Sequence, residues 1–213
     1  MSVRISDSTV RRLSLYLRML RGLRVRGVEL VSSSELADRA GATSAQVRKD
    51  LSLFGSFGKR GRGYEVDALT GTIEEILGLS RVWRVALVGV GKIGTALLGY
   101  EDMLDRGFRV VAAFDIAPDK IGREIFGVTV SPLSEVESVV CEKGVEIAII
   151  ATPPATAPEV AVMLSEAGVG AILNFAPTRI SEIDYVPVRT VDLVLELEGL
   201  SYLLTSRRRN GDD

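Results

Sequence analysis

The residues best suited to chemistry in this chain are three glycines and an acid. Gly89-Val90-Gly91-Lys92-Ile93-Gly94 follows the apolar run Val82 to Val88 and leads into a helical pattern. Strand, G-x-G-x-x-G and helix in that order form a dinucleotide-binding turn. Gly89 permits the tight turn, Gly91 lets the backbone approach a pyrophosphate, and Gly94 lets the helix pack closely on the strand. Asp115 ends the next apolar run, Phe108 to Phe114, 21 residues beyond Gly94. A carboxylate there accepts ribose hydroxyls and repels a 2′-phosphate, which favours NAD over NADP.

The partners an enzyme needs are missing. The chain has no histidine, and no tyrosine has a lysine one helical turn on: Tyr100 is followed by Leu104, Tyr185 by Arg189 and Tyr202 by Ser206. A nicotinamide dehydrogenase needs a positioned acid or base of this kind. The pattern therefore points to a nucleotide that is sensed. An NAD-dependent oxidoreductase with an accessory N-terminal domain is the alternative, and a repressor reading another nucleotide is a third reading. Cys141 is the single cysteine, so there is no internal disulfide and no cysteine-rich metal site. No metal is expected.

The elements around the fingerprint follow from composition and period. The chain has 213 residues, 46% hydrophobic and 25% charged, enough for one large domain or two small ones. With no signal peptide and no apolar run of membrane-spanning length, a cytoplasmic protein with no membrane partner is expected. The net charge of −2 hides an asymmetry: residues 1–64 hold 13 Lys/Arg against five acids, a local +8, which leaves −10 for the rest. A basic segment on an acidic body suits a polyanion partner for that segment alone.

The N-terminal segment supplies a motif for such a partner. Ser8 and Thr9 are suited to cap a helix reaching about Leu23, with Leu13, Leu17 and Leu20 on one face. Ser32 with Glu35 forms a capping box for a helix to Ala40, stopped by Gly41, and Thr43 with Gln46 forms a second. Two capped helices so closely spaced make a helix-turn-helix. In the second, Ser44 to Phe54, Val47, Leu51 and Phe54 face the core. Ala45, Arg48, Lys49 and Ser52 face outward, where they can meet bases and phosphates. Gly55 to Val66 reads as a glycine-rich hairpin whose tip carries Lys59, Arg60 and Arg62, a cationic wing. A helix over 66–79 then leads to the fingerprint strand.

Beyond Asp115, strands at 127–130, 145–151, 171–177 and 186–191 alternate with helices at 132–142 and 155–167, which predicts a parallel, doubly wound sheet. The loop Thr152-Pro153-Pro154 ends a strand where ligands bind in such sheets, and it is placed to line a nicotinamide. Asp192 to Ser206 is a closing helix with a stripe of Leu193, Leu197, Leu200 and Leu204, able to pack on its own domain or on a second subunit. The fold class is thus α/β with an α+β N-terminal part: a winged-helix DNA-binding domain (1–80), a Rossmann-type NAD(H)-binding domain (81–191) and a C-terminal helix and tail (192–213).

Several segments together resemble the bacterial redox-sensing transcriptional repressor Rex family. They are Arg11 to Tyr16, Val47-Arg48-Lys49-Asp50-Leu51-Ser52, the wing, Gly89 to Ala96, Ala113-Phe114-Asp115-Ile116, Gly170 to Pro177 (which includes Asn174) and Val191-Asp192-Leu193. The resemblance implies a homodimer that binds palindromic operator DNA and releases it when NADH accumulates, with NAD+ as competing ligand. It also implies a closing helix exchanged between subunits, Arg48 and Lys49 as base readers, a Tyr100–Asp192 contact across the NADH-bound dimer, and Arg18 as the partner of that aspartate in the other state. The expected nucleotide residues are thus Gly89, Val90, Gly91, Lys92, Ile93, Gly94, Asp115, Ile116, Thr152, Pro153 and Asn174; Ser44 joins the expected DNA contacts and Leu193 the expected dimer residues.

Overall fold

The computed structural model describes residues 5–55, 57, 63–181, 183 and 185–210. They form two compact units, divided between Arg81 and Val82.

In the first unit, helix α1 (Asp7–Val25) buries Leu13, Tyr16, Leu17 and Leu20 along one face. Its N-cap is Ser6, two residues before the expected Ser8, because the Ser6 hydroxyl accepts the Thr9 N–H at 3.2 Å. That start also puts Asp7 in the first turn, where its charge suits the helix dipole. Strand β1 (Leu30–Val31) leads to α2 (Ser33–Ala40), opened by the full Ser32–Glu35 capping box and closed by Gly41 at φ 61°. Helix α3 (Ser44–Ser52) is capped by Thr43, but only half of the expected second box forms. The Gln46 side chain turns instead to Asp50, donating to Oδ1 at 2.8 Å.

Strand β2 (Tyr64–Glu65) pairs antiparallel with β1, which precedes the two helices; the tip of the hairpin expected within 55–66 lies outside the described residues. Gly63 makes the close return possible. It has φ +82°, and a Cβ there would lie 2.6 Å from the Val31 carbonyl oxygen. Helix α4 (Val66–Ile76) closes the unit's core with Val66, Leu69 and Ile73.

The second unit is built on a sheet whose strands are β3 (Trp83–Val88), β4 (Phe108–Asp115), β5 (Glu124–Ile125), β6 (Val128–Pro132), β7 (Ile147–Ile150), β8 (Ala171–Asn174) and β9 (Val188–Thr190). Their order is β5-β6-β4-β3-β7-β8-β9, and every neighbouring pair is parallel except β5 with β6. Without the short edge strand β5, this is the doubly wound dinucleotide-binding order. Strand alternation sends side chains to opposite faces. Ala86, Val88, Phe114 and Ile150 meet α7 (Val136–Lys143) and α8 (Ala157–Glu166) on one face. Val85, Leu87 and Ile149 form the other core with residues of α5 (Lys92–Leu98) and α6 (Glu101–Asp105).

The last helix, α9 (Leu193–Asn210), starts at Asp192, whose Oδ1 accepts the Val194 N–H at 2.9 Å. Leu193, Leu197, Leu200 and Leu204 stay 57–63% exposed. Of the two packings open to this stripe, the chain's own core is therefore not the one it takes. Among the described residues no helix is long and apolar enough to cross a membrane, and no cluster of side chains is suited to a metal ion.

Candidate functional site

The sheet order reverses between β3 and β7, and the loops leaving the carboxyl ends of these strands face each other there. Gly89 sits in this gap at φ +95°; a Cβ on it would lie 2.6 Å from the Ala151 carbonyl oxygen. A Cβ on Gly94 would run into the Gly89 carbonyl oxygen, so this glycine keeps α5 seated on the turn. Gly91 differs: a Cβ built there meets nothing within 4 Å. Its contribution is an unobstructed backbone at the mouth of a cavity of about 530 Å³, within the usual range for ligand pockets.

Six of the expected nucleotide residues line that cavity: Gly89, Gly91, Asp115, Ile116, Thr152 and Pro153. Thr152 Oγ1 is the one buried side-chain polar atom among the described residues without a hydrogen-bond partner. A buried hydroxyl of this kind costs free energy unless a ligand or water satisfies it. Together with the open Gly91 backbone and the first turn of α5, which no side chain caps, it fits a polar, phosphate-bearing nucleotide.

The other five expected residues lie outside the lining. Val90 is buried and gives its N–H to Asp115 Oδ2 at 2.8 Å, so that donor serves the turn itself. Lys92 and Ile93 are exposed in the first turn of α5, and Gly94 is buried in it. Asn174 is fully buried. Its Oδ1 accepts the Ala176 N–H and its Nδ2 donates to the Ala176 and Thr178 carbonyls and the Thr190 hydroxyl. Its side chain shapes the loop after β8 and is not turned to the cavity.

Asp115 is also more engaged than its spacing predicts. Besides the Val90 N–H, it accepts the Ala117 N–H on Oδ1 at 2.9 Å and the Lys120 ammonium on Oδ2 at 2.9 Å. Burial pushes this carboxyl up, but those three donors and the lysine charge outweigh it and hold the group below the usual carboxylate range. Sequence reasoning missed Lys120 and Glu159, which complete the ionisable lining of the cavity. The available signal for Lys120 was its place five residues after the acid, across the turn Ala117-Pro118-Asp119.

In the first unit, α3 presents Ala45, Arg48, Lys49 and Ser52 to solvent, while Ser44 is half-buried. Arg48 is held from below, its Nη1 donating to Ser33 Oγ at 3.0 Å. The Ser52 hydroxyl donates back to the Lys49 carbonyl, leaving only its acceptor capacity outward. Lys59, Arg60 and Arg62 lie outside the described residues.

What the sequence did not reveal is the anchor of this helix. Asp50, 2% exposed, receives Arg12 on both oxygens (2.7 and 2.8 Å), the Tyr16 hydroxyl (3.0 Å) and the Gln46 amide (2.8 Å). Burial pushes its carboxyl up, yet the bonds from Arg12, Gln46 and Tyr16 hold it below the usual range, and the Tyr16 phenol is pushed up to about 12 by burial and the same contact. A carboxylate depressed in the folded state contributes stability that is present above its unfolded value and lost as pH falls through the folded one. Removing one partner of a buried pair strands the other. Asp50→Ala is therefore expected to cost about 3 kcal/mol in urea unfolding, and the wild-type advantage over it is expected to fade on acidification below about pH 4.

For the remaining expected residues, Arg18 lies exposed on α1. Tyr100 is 54% exposed at the N-cap of α6, its hydroxyl donating to Asp102 Oδ2 at 3.2 Å. Asp192 uses Oδ1 to cap α9, and Leu193 begins that helix.

Comparison with known proteins matches both units. Residues 4–52 match the family described as "Putative DNA-binding protein N-terminus" and residues 80–178 the family described as "CoA binding domain". The chain is 49% identical over 198 residues to the redox-sensing transcriptional repressor Rex of Roseiflexus sp. (strain RS-1), covering 93% of this chain and 90% of that protein. It is 47% identical over 199 residues to Rex of Carboxydothermus hydrogenoformans, covering 93% and 96%. Among solved structures it is similar to RSP, a Rex-family repressor. The complex of RSP with β-NAD+ and operator DNA superposes with TM-score 0.92 at 33% identity over 99% of this chain and 97% of that one. The complex with β-NADH gives TM-score 0.87 at 32% identity over 100% and 99%.

Proposed function

The chain belongs to the Rex family of redox-sensing transcriptional repressors, and from that premise we propose how its two units divide the work. The protein binds operator DNA through α3 and binds NADH, with NAD+ as competing ligand, in the cavity between the carboxyl ends of β3 and β7. It is a regulator, as its relatives are named, and acts in the cytoplasm. The observation that carries the nucleotide half is the orphaned Thr152 hydroxyl in a cavity whose glycine turn leaves the backbone open.

The residues divide as follows in this reading. Gly89 and Gly91 let the backbone reach the phosphates, Asp115 and Ile116 flank the adenosine ribose, and Thr152 and Pro153 meet the nicotinamide half. Arg48 and Lys49 read bases; Ala45, Ser52 and the wing residues Lys59, Arg60 and Arg62 complete the contact with DNA. Two copies join through the apolar stripe of α9, since a helix with its leucines in water has little to hold it alone. The homodimer matches a palindrome, whose half-sites lie about one helical turn of DNA apart, or a multiple of that.

The switch requires differential affinity, because a ligand that binds both states equally shifts neither. The reduced nicotinamide ring is neutral and the oxidised ring cationic, so apolar walls such as Ala151, Val160 and Met163 favour the reduced form. Tyr100 exchanges its long, exposed bond to Asp102 for Asp192 of the other subunit, and Arg18 holds that aspartate in the DNA-bound state. Titrating the protein with NADH, NADPH and ATP tests the ligand: NADH is expected to bind tightest. Equal binding of ATP would replace this reading with that of another nucleotide.

A further inference from the structure

The Asp115 carboxylate does not face the cavity as a free charge. Lys120 Nζ lies 2.9 Å from Oδ2, and the two side chains are 31% and 8% exposed. Oδ2 already holds two donors, the Val90 N–H and this ammonium, while Oδ1 holds one, the Ala117 N–H. An ionised carboxyl offers about four lone-pair sites, so one acceptor direction remains, on Oδ1. The pair is held by the chain turn itself: the Lys120 N–H donates to the Ala117 carbonyl at 3.0 Å, which closes the loop that returns the lysine to the acid. Both side chains line the same cavity.

An unpaired acid at this position excludes NADP by repelling its 2′-phosphate. Here an ammonium at ion-pair distance cancels most of that field and keeps further donors of its own to offer a phosphate. Building on the nucleotide-sensor reading above, we propose that Lys120 is a specificity-determining residue that narrows the discrimination between NADH and NADPH. Asp115 supplies the preference for a 2′-hydroxyl, and Lys120 sets how strong that preference is.

The test is a titration of the full-length protein with NADH and with NADPH, each followed by nicotinamide fluorescence. Wild type is compared with Lys120→Met, Lys120→Arg and Asp115→Ala. Lys120→Met is expected to raise the ratio of NADH to NADPH affinity about tenfold, because Asp115 then meets the phosphate unneutralised. Lys120→Arg keeps the wild-type ratio. Asp115→Ala lowers the ratio about tenfold or more, with NADPH binding tighter than to wild type, because the freed ammonium meets the 2′-phosphate. The proposal is overturned if Lys120→Met weakens both nucleotides equally, which would make Lys120 a general phosphate anchor, or if the ratio does not change. Failure of wild type to bind NADH at all overturns the nucleotide reading itself, and with it this proposal.

Discussion

Replacing Arg48 and Lys49 together by alanine is expected to lower operator affinity at least about 30-fold while leaving NADH affinity unchanged. A well-placed contact from Arg or Lys to guanine contributes about 1–3 kcal/mol of discrimination, so two such contacts correspond to roughly 30-fold to 10⁴-fold in affinity. Both side chains are exposed on α3, and the core-facing residues Val47, Asp50 and Leu51 are untouched by the change. Fluorescence anisotropy on a labelled operator, beside a nucleotide titration, reads both quantities. Loss of NADH binding in the same variant would mean that the effect is misfolding, and full operator affinity would remove α3 as the reading element.

The second large effect concerns α9. Leu197→Glu with Leu200→Glu places two charges in a stripe that is 63% and 57% exposed in the single chain. Burying such charges at an apolar seam costs several kcal/mol. The variant is expected to run as a monomer in sedimentation and to lose operator binding, because one recognition helix reaches only one half-site. Each monomer should still fold, since α9 contributes nothing to either unit's core. A variant that stays dimeric would place the subunit contact elsewhere.

Much of this was legible in residue types and spacing, for reasons that are local. The turn at Gly89 is enforced by a positive φ that glycine alone adopts cheaply, and the capping box at Ser32 and Glu35 by reciprocal bonds within one turn. Such rules act over a few residues and so can be read from a string. What stayed hidden depends on residues far apart in the chain. Asp50 counted only as one acid in a basic segment, yet Arg12, 38 residues earlier, makes it the anchor of α3. Gln46 looked like the second half of a capping box and serves Asp50 instead. The pairing of Tyr64–Glu65 with Leu30–Val31 spans the whole helix-turn-helix, so no local pattern of residues could announce it.

Asn174 shows the complementary difficulty. It enters the expected site only through the segment that resembles the family, and its side-chain polar atoms bond Ala176, Thr178 and Thr190. Lys120 is the converse, a turn lysine of no evident role until the fold sets it against Asp115. Thr152 was expected to meet a ligand from its place after an apolar strand; it lines the cavity, and its hydroxyl has no hydrogen-bond partner.

The central claim is that one nucleotide redox state releases DNA. Anisotropy of a labelled palindromic operator bound to the protein, titrated with NADH and separately with NAD+, tests it most directly. NADH is expected to release the operator, while NAD+ leaves it bound and shifts the NADH midpoint upward by competition. Operator occupancy that ignores NADH, or that responds identically to both nucleotides, would contradict the account.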